Sequence, residues 1–288
     1  MLLIQGALMV KDQQCALHPE LAPWQSLFSR SKKYWLKHEP MSALQWYAWQ
    51  QDWDEPMAAL LASKLTDQQQ EGGKQFWVVT PYHATMRQTK IAVMPSHLMM
   101  WTAEDAFWLI TLLNPMLKMY GIELFALGAC IVAKSDCYYD VDMDDFAIID
   151  GGFLPDRKPK GQDSLRFMCM MSEMQALLAQ NGAERHGMAL SGVWFWGMSI
   201  AAATARAWPH ISTHQKSLLS LLDDGEVQAH YTDVDHLEGL ETIPQHCLLV
   251  GYNYSVLLER SLLPRWSKGT WKLGKTISLE RTYAHIFN

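Results

Sequence analysis

The sequence predicts a layered α/β or α+β fold, a mixed sheet flanked by helices. Segments of strand character alternate with segments of helical spacing through the second half of the chain, as layered architectures of both element types require. Residues 163–180 place Phe167, Met170, Met171, Met174, Leu177 and Leu178 at three- and four-residue steps, the apolar stripe of a core-facing helix. Finally, 288 residues that are 49% hydrophobic and 19% charged can bury a large core, and 13 tryptophans with 17 methionines predict that indoles and thioethers fill it.

Taken in order, the opening MLLIQGALMV is apolar without a basic flank or a small-residue cleavage site, so it predicts a buried strand rather than a secretion signal. PWQSLFSRSKKYWLK, MSALQWYAWQQ and EPMAALLASKL then carry apolar residues at helical spacing. The polar, glycine-paired TDQQQEGGKQ (66–75) marks a change of texture within a single domain spanning 1–288: a mainly helical portion over 1–70 after the first strand, and a mixed portion over 75–288. QFWVVT and KIAVM predict strands joined by the turn-bearing PYHATMRQT.

Thr102 is placed to cap a helix through WTAEDAFWLITLLNPMLKMYG, with Glu104 and Asp105 where the helix dipole favours acid and Gly121 as its stop. Pro115 inside this pattern predicts a kink or break near Leu112 to Asn114. IELFAL and CIVAK predict strands, 163–180 a helix ended by Asn181-Gly182, and AERHGMA a polar loop. In SGVWFWG, Val193 and Phe195 alternate with Trp194 and Trp196, which suits a short strand covered on both faces. THQKSLLSLL predicts a helix, HCLLVGY a strand, and WKLGKTISLERTYAHIF a hairpin or edge strands.

A net charge of −6 supplies no electrostatic attraction to nucleic acid or anionic lipid, and the basic runs SRSKKYWLK and PDRKPKGQD read as solvated surface. The apolar stretch around Trp194 meets Arg206 too soon to span a membrane. Five scattered cysteines (Cys15, Cys130, Cys137, Cys169, Cys247) include no Cys-x-x-Cys pair, so a disulfide framework or zinc knuckle is not expected and a reducing cytoplasm is.

The order of FWVVTPYHATM, WTAEDAFWLITLLNPMLKMYGIELF, FLPDRKPKGQDSLRFMCMMSEMQALLAQNGAERHGMALSGVWFWG and a C-terminal Trp-Lys-Leu segment resembles the bacterial RpfE-type regulatory proteins, a family related to cofactor-independent phosphoglycerate mutase. That family's Pro-x-His motif matches Pro81 and His83. Its helical Asn-Glu-hydrophobic-Gln matches Ser172, Glu173 and Gln175, and its Trp-Phe-Trp-Gly strand matches Trp194, Phe195, Trp196 and Gly197. The likeness is best over 75–197 and weak before 75. Departures are Ser191-Gly192 for the family's Asn-Ser, Gly197-Met198-Ser199 for its glycine run, and Ser172 for its Asn. The resemblance implies a degenerate alkaline-phosphatase or phosphoglycerate-mutase-like scaffold and a non-catalytic regulatory role. It also implies ligand-binding positions at His83, Glu173, Gln175, Trp194, Trp196 and Gly197, no cofactor, and a protein partner or small ligand of unstated identity.

A catalytic mutase relative, as the resemblance implies, needs two divalent metals on Asp and His ligands, the first an Asp ending the N-terminal strand. Here that strand holds no carboxylate, and the first acid is Asp12 after Lys11, which argues against catalysis. The alternative is a metal-dependent phosphoryl-transfer enzyme that binds Mn or Zn through Asp233, Asp235 and His236 of HYTDVDHLEG, with carboxylates from Asp140 to Asp150. DCYYDVDMDD lacks the glycine and terminal glutamate of a calcium loop and reads as solvated. His210 and His214 have helical spacing without a neighbouring Glu, and no nucleophile elbow, Walker loop or dinucleotide turn is present. The plainest expectation for His83 is a histidine bonded to a backbone carbonyl at a strand end, and for the Trp-Phe-Trp block a packing role.

Overall fold

Strand-forming residues near the two ends of the chain meet in one sheet, and those in the middle form another. In the computed structural model, residues 1–11, 14–237, 244–259 and 276–277 are described. The elements begin β1 (Leu2–Lys11), β2 (Gln14–Leu17), α1 (Gln25–Arg30), β3 (Lys32–Lys37), α2 (Ala43–Gln50), α3 (Met57–Ala62) and α4 (Asp67–Gln70). They continue with β4 (Gln75–Tyr82), β5 (Ala84–Arg87), β6 (Lys90–Val93), α5 (Ala103–Leu117), β7 (Ile122–Leu127), β8 (Cys130–Ser135), α6 (Phe146–Ile149) and α7 (Ser164–Gln180). Then come β9 (Glu184–Arg185), β10 (Met188–Ala189), β11 (Gly192–Ser199), β12 (Ile211–Thr213), α8 (Lys216–Leu219), β13 (Ala229–Asp233), β14 (His246–Gly251), β15 (Tyr254–Glu259) and β16 (Thr276–Ile277).

Contacts gather the chain into two compact units, Met1–Met41 with Trp208–Gln215 and Leu222–Asn288, and Ser42–Ala207 with Lys216–Leu221. The sequence reading expects one domain over 1–288; the polar 66–75 segment lies inside the second unit.

The first unit holds a mixed sheet in the order β12-β13-β1-β14-β15-β3-β16, with β2 beside β1. The neighbours β12, β13, β1 and β14 are parallel, and β15 runs antiparallel to both β14 and β3. Leu2, Ile4, Leu8, Cys247, Leu249, Val256 and Leu258 pack on one face with Leu21, Phe28 and Trp35. The period of two in these strands sends alternate residues to that core. The helix expected through Lys37 ends at Arg30: Ser31 turns the backbone extended and Lys32–Lys37 is a strand, with Trp35 opposite Val256. Pairing with β15 and burial of Trp35 and Leu36 outweigh the helical spacing, which tertiary context commonly does. The N-terminal portion is therefore less helical than its texture suggests. The predicted C-terminal hairpin lies outside the described residues apart from the short β16.

The second unit is built on an antiparallel sheet in the order β11-β4-β8-β7. Helices α5 and α7 cover one face, where Leu109, Leu113 and Leu117 meet Phe167, Met170 and Met174 over Trp77, Val79, Ile131, Val193 and Phe195. Each such fully buried side chain contributes roughly 1.5–3 kcal/mol. The short, wholly buried α3 packs against β4 and β11. Thr102 and Asp105 form a reciprocal capping box that starts α5. The break predicted before Pro115 is absent: Pro115 faces solvent, where water can serve the Thr111 carbonyl its missing N–H leaves free, and the Asn114 amide clasps both backbone groups of Leu124. PYHATMRQT is not merely a turn, since β4 runs through Tyr82 and β5 pairs with β6. AERHGMA forms the small β9–β10 hairpin. The chain is thus a mixed α/β protein, and no helix among the described residues is long and apolar enough to cross a membrane.

Candidate ligand site at Trp194

Strand β11 pairs antiparallel with β4, Trp194 opposite Thr80 and Phe195 opposite Val79. Val193 and Phe195 enter the core under α5 and α7, and the alternation sends Trp194 and Trp196 to the other face. Both indoles are buried and both are satisfied: Trp194 Nε1 donates to the Asp144 carbonyl at 2.8 Å, and Trp196 Nε1 donates to Thr80 Oγ1 at 2.8 Å. The expectation of a strand covered on both faces holds. Gly192 is needed where β11 begins, because a Cβ there would stand 2.6 Å from the Tyr82 hydroxyl. Gly197 has φ +61°, a conformation that disfavours other residues.

Beside Trp194 lies a shallow, solvent-open recess of about 30 Å³, lined by Asp142, Met143 and Asp144 on one side and by Pro155, Arg157, Lys158, Pro159 and Lys160 on the other. It is made by two loops that the sequence presents as unrelated solvated runs, the acidic 136–145 and the basic 155–163. Asp142 N donates to the Lys160 carbonyl at 3.0 Å, Asp163 Oδ2 accepts from Asp140 N at 2.9 Å, and Asp140 Oδ2 accepts from Gln162 N at 3.0 Å. Arg157 closes the join with an ion pair to Asp144 at 2.7 Å. Lys158 and Lys160 are exposed, and among the described residues neither has an ion-pair partner. Beneath the acidic loop, Asp145 caps α6 and accepts from Gln45 Nε2 at 2.6 Å, while burial pushes its carboxyl above the usual range.

Of the positions drawn from the family resemblance, only Trp194 lines this recess. His83 Nδ1 lies 2.6 Å from the Ala189 carbonyl, the backbone partner expected of it. Gln175 Nε2 donates to the buried Tyr82 hydroxyl at 3.0 Å, and burial pushes that phenol up. Glu173 is exposed, with its carboxylate against the Tyr120 hydroxyl. These side chains brace the sheet and α7 at places apart from the recess. The residues missed by sequence reasoning are Arg157, Lys158 and Lys160, and their opposite charge to the five aspartates of 136–145 is the signal that could have found them.

The proposed metal ligands lie in the first unit. Asp233 ends β13, where its Oδ1 accepts from Asp235 N at 3.1 Å and lies 2.7 Å from His236 Nδ1. The His236 ring stacks on His214 at 4.9 Å between centroids, and Asp235 is exposed. On the adjacent strand β1, the residue opposite Asp233 is Gln5, an amide whose Oε1 accepts from the Tyr231 hydroxyl. Among the described residues, no three His, Cys, Asp or Glu side chains are grouped to hold a metal ion. Among the described residues, this donor set supplies too few ligands for a two-metal centre. Asp12 and Glu238 lie outside the described residues.

No protein family model matches the chain, and no curated protein matches it. Among solved structures the chain is similar to a cofactor-independent phosphoglycerate mutase from Thermoplasma acidophilum DSM 1728, at 12% identity and a TM-score of 0.38, covering 99% of this chain and 98% of that one.

Proposed function

We propose that the protein is a non-catalytic bacterial regulatory protein of the RpfE type, a degenerate relative of phosphoglycerate mutase. In this reading it acts in the cytoplasm by binding an acidic group of a small ligand or protein partner at Trp194. The observation that carries this is the recess itself: two loops of opposite charge are hydrogen-bonded together beside a fixed indole, and they leave Lys158 and Lys160 uncompensated at its edge. Exposed lysines bind anions as mobile point charges, and Pro155, Pro159, Met143 and the indole supply an apolar wall for the group that carries the anion. The acidic loop opposes purely electrostatic capture, so selectivity falls on ligands small enough to meet the lysines without facing Asp142.

The test is a titration with inorganic phosphate and with citrate, followed by the indole N–H resonances in nuclear magnetic resonance spectra. The Trp194 resonance should move and saturate while that of Trp196 stays in place. The movement should disappear in the Lys158→Ala/Lys160→Ala double variant. No saturable movement, or one indifferent to the lysines, would refute the site.

A further inference from the structure

Helix α7 turns toward solvent a face that is almost free of charge. Phe167, Met170, Met174 and Leu178 are buried on its core side. On the opposite side Leu165 is 70% exposed and Met168 39%, and Cys169, Ser172, Ala176 and Ala179 are exposed. At 100° per residue, Leu165, Cys169, Ser172 and Ala176 form one strip along the helix. The charged residues of α7, Arg166 and Glu173, both lie on the same flank of that strip, two turns apart. Arg166 rests over the Tyr139 ring at 5.0 Å and Glu173 lies against Tyr120. The sequence neighbours of those tyrosines, Tyr138 and Met119, are 60% and 72% exposed. The outer face of a surface helix is ordinarily polar, and a contiguous apolar patch marks an interaction surface.

We propose that this face is a homodimer interface in which two copies of the chain pair α7 antiparallel about a two-fold axis at the level of Cys169 and Met170. Size complementarity points to this arrangement. The bulky Leu165 sits at one end of the strip and the small Ser172 and Ala176 at the other, so reversing the second helix seats Leu165 against Ser172 and Ala176 of the other copy. Charge complementarity points the same way. The two-fold axis brings like flanks together and reverses their direction, so Arg166 of each copy meets Glu173 of the other, giving two matched pairs. A parallel pair would set Leu165 against Leu165 and turn both charges toward Met168 and Gln175. The surface is therefore complementary to itself in one direction only, as an isologous contact requires. A helix of this length spans about 25 Å, which places the contact at the small end of stable interfaces and makes it reversible on dilution.

Sedimentation velocity across a dilution series, together with mild copper-phenanthroline oxidation, tests the proposal on the full chain. The wild type should sediment as a dimer at high concentration. Because Cys169 lies near the axis, oxidation should yield a disulfide-linked dimer that survives Cys137→Ser and is lost in Cys169→Ser. Leu165→Glu should weaken association at least tenfold, with far-ultraviolet circular dichroism unchanged because the side chain is exposed. Arg166→Glu should weaken it less, and Arg166→Glu/Glu173→Arg should recover it. A monomer at every concentration, a dimer indifferent to Leu165→Glu, or cross-linking without Cys169 would overturn the proposal.

Discussion

Asp105 Oδ2 lies 2.8 Å from His186 Nε2, so the carboxylate that caps α5 also holds the tip of the β9–β10 hairpin. The same side chain accepts from the Thr102 amide at 3.0 Å and the Thr102 hydroxyl at 2.6 Å, and its Oδ1 stands 3.2 Å from Arg185 Nε. Its grip offsets the left-handed backbone of His186, with φ +52°. Asp105→Ala removes one partner from each of these contacts in a buried place. Urea unfolding should show a loss of about 3 kcal/mol, the range for breaking a buried charged network.

The same carboxyl predicts a pH dependence. Burial pushes the Asp105 carboxyl up, but hydrogen bonds from the Thr102 hydroxyl, His186 and the Thr102 amide outweigh it and hold the group below its ordinary range. A carboxyl depressed in the folded state contributes stability that is present above its unfolded pKa and lost as pH falls through its folded pKa. The stability difference between wild type and Asp105→Asn should therefore narrow as pH drops from about 5 to about 2, the window for a depressed carboxyl. A constant difference across that window would show that Asp105 acts through its shape alone.

Where β11 starts, Gly192 gives the Tyr82 ring room to reach Gln175. Gly192→Ala must push the ring aside and strand a buried hydroxyl, so thermal unfolding should reveal a loss of about 2 kcal/mol, the usual size of overpacking with an unmade hydrogen bond. Tyr82→Phe removes the hydroxyl that the new methyl would strike, so the double variant should lose less than the sum of the two single changes.

These contacts show where the sequence was legible and where it was not. Local signals survived: Thr102 with Asp105 starts α5, the methionine stripe of 163–180 is core, and the alternation of 193–196 is a strand. Long-range pairing was not legible. Lys32–Lys37 has helical spacing, yet becomes a strand because β15, more than 200 residues away, supplies its hydrogen-bond partners. The recess at Trp194 failed to show for the same reason, since neither the aspartates of 136–145 nor the basic run 155–160 is distinctive until the two are laid together.

Cysteine chemistry follows from burial. Cys137 and Cys169 are exposed, whereas burial pushes Cys15 up to about 11 and Cys130 and Cys247 up to about 12. Thiolate is the reactive form, so these three are inert near neutral pH. At concentrations low enough to keep the chain monomeric, Ellman's reagent should modify two thiols rapidly in the native protein and the remaining three only on unfolding. Raising the pH from about 7 to about 9 should still leave the three buried thiols unreacted in the native protein. Rapid modification of a third thiol would mean that one of the buried sites opens readily.

The metal-dependent alternative is decided by calorimetry with Mn²⁺ and Zn²⁺. Asp233 Oδ1 is already committed to the turn that follows β13 and to His236, and Gln5 offers no carboxylate beside it. A cation drawn to this place would have to displace the Asp235 amide from Asp233 and break the stack of His236 on His214. The expected result is no stoichiometric heat for either ion, with no effect of Asp235→Ala or His236→Ala on the baseline. One-to-one binding abolished by those two substitutions would reverse the assignment, because a protein that rearranges these residues around a cation has kept Lewis-acid chemistry. Phosphatase assays against phosphate monoesters would then become the appropriate measure of function.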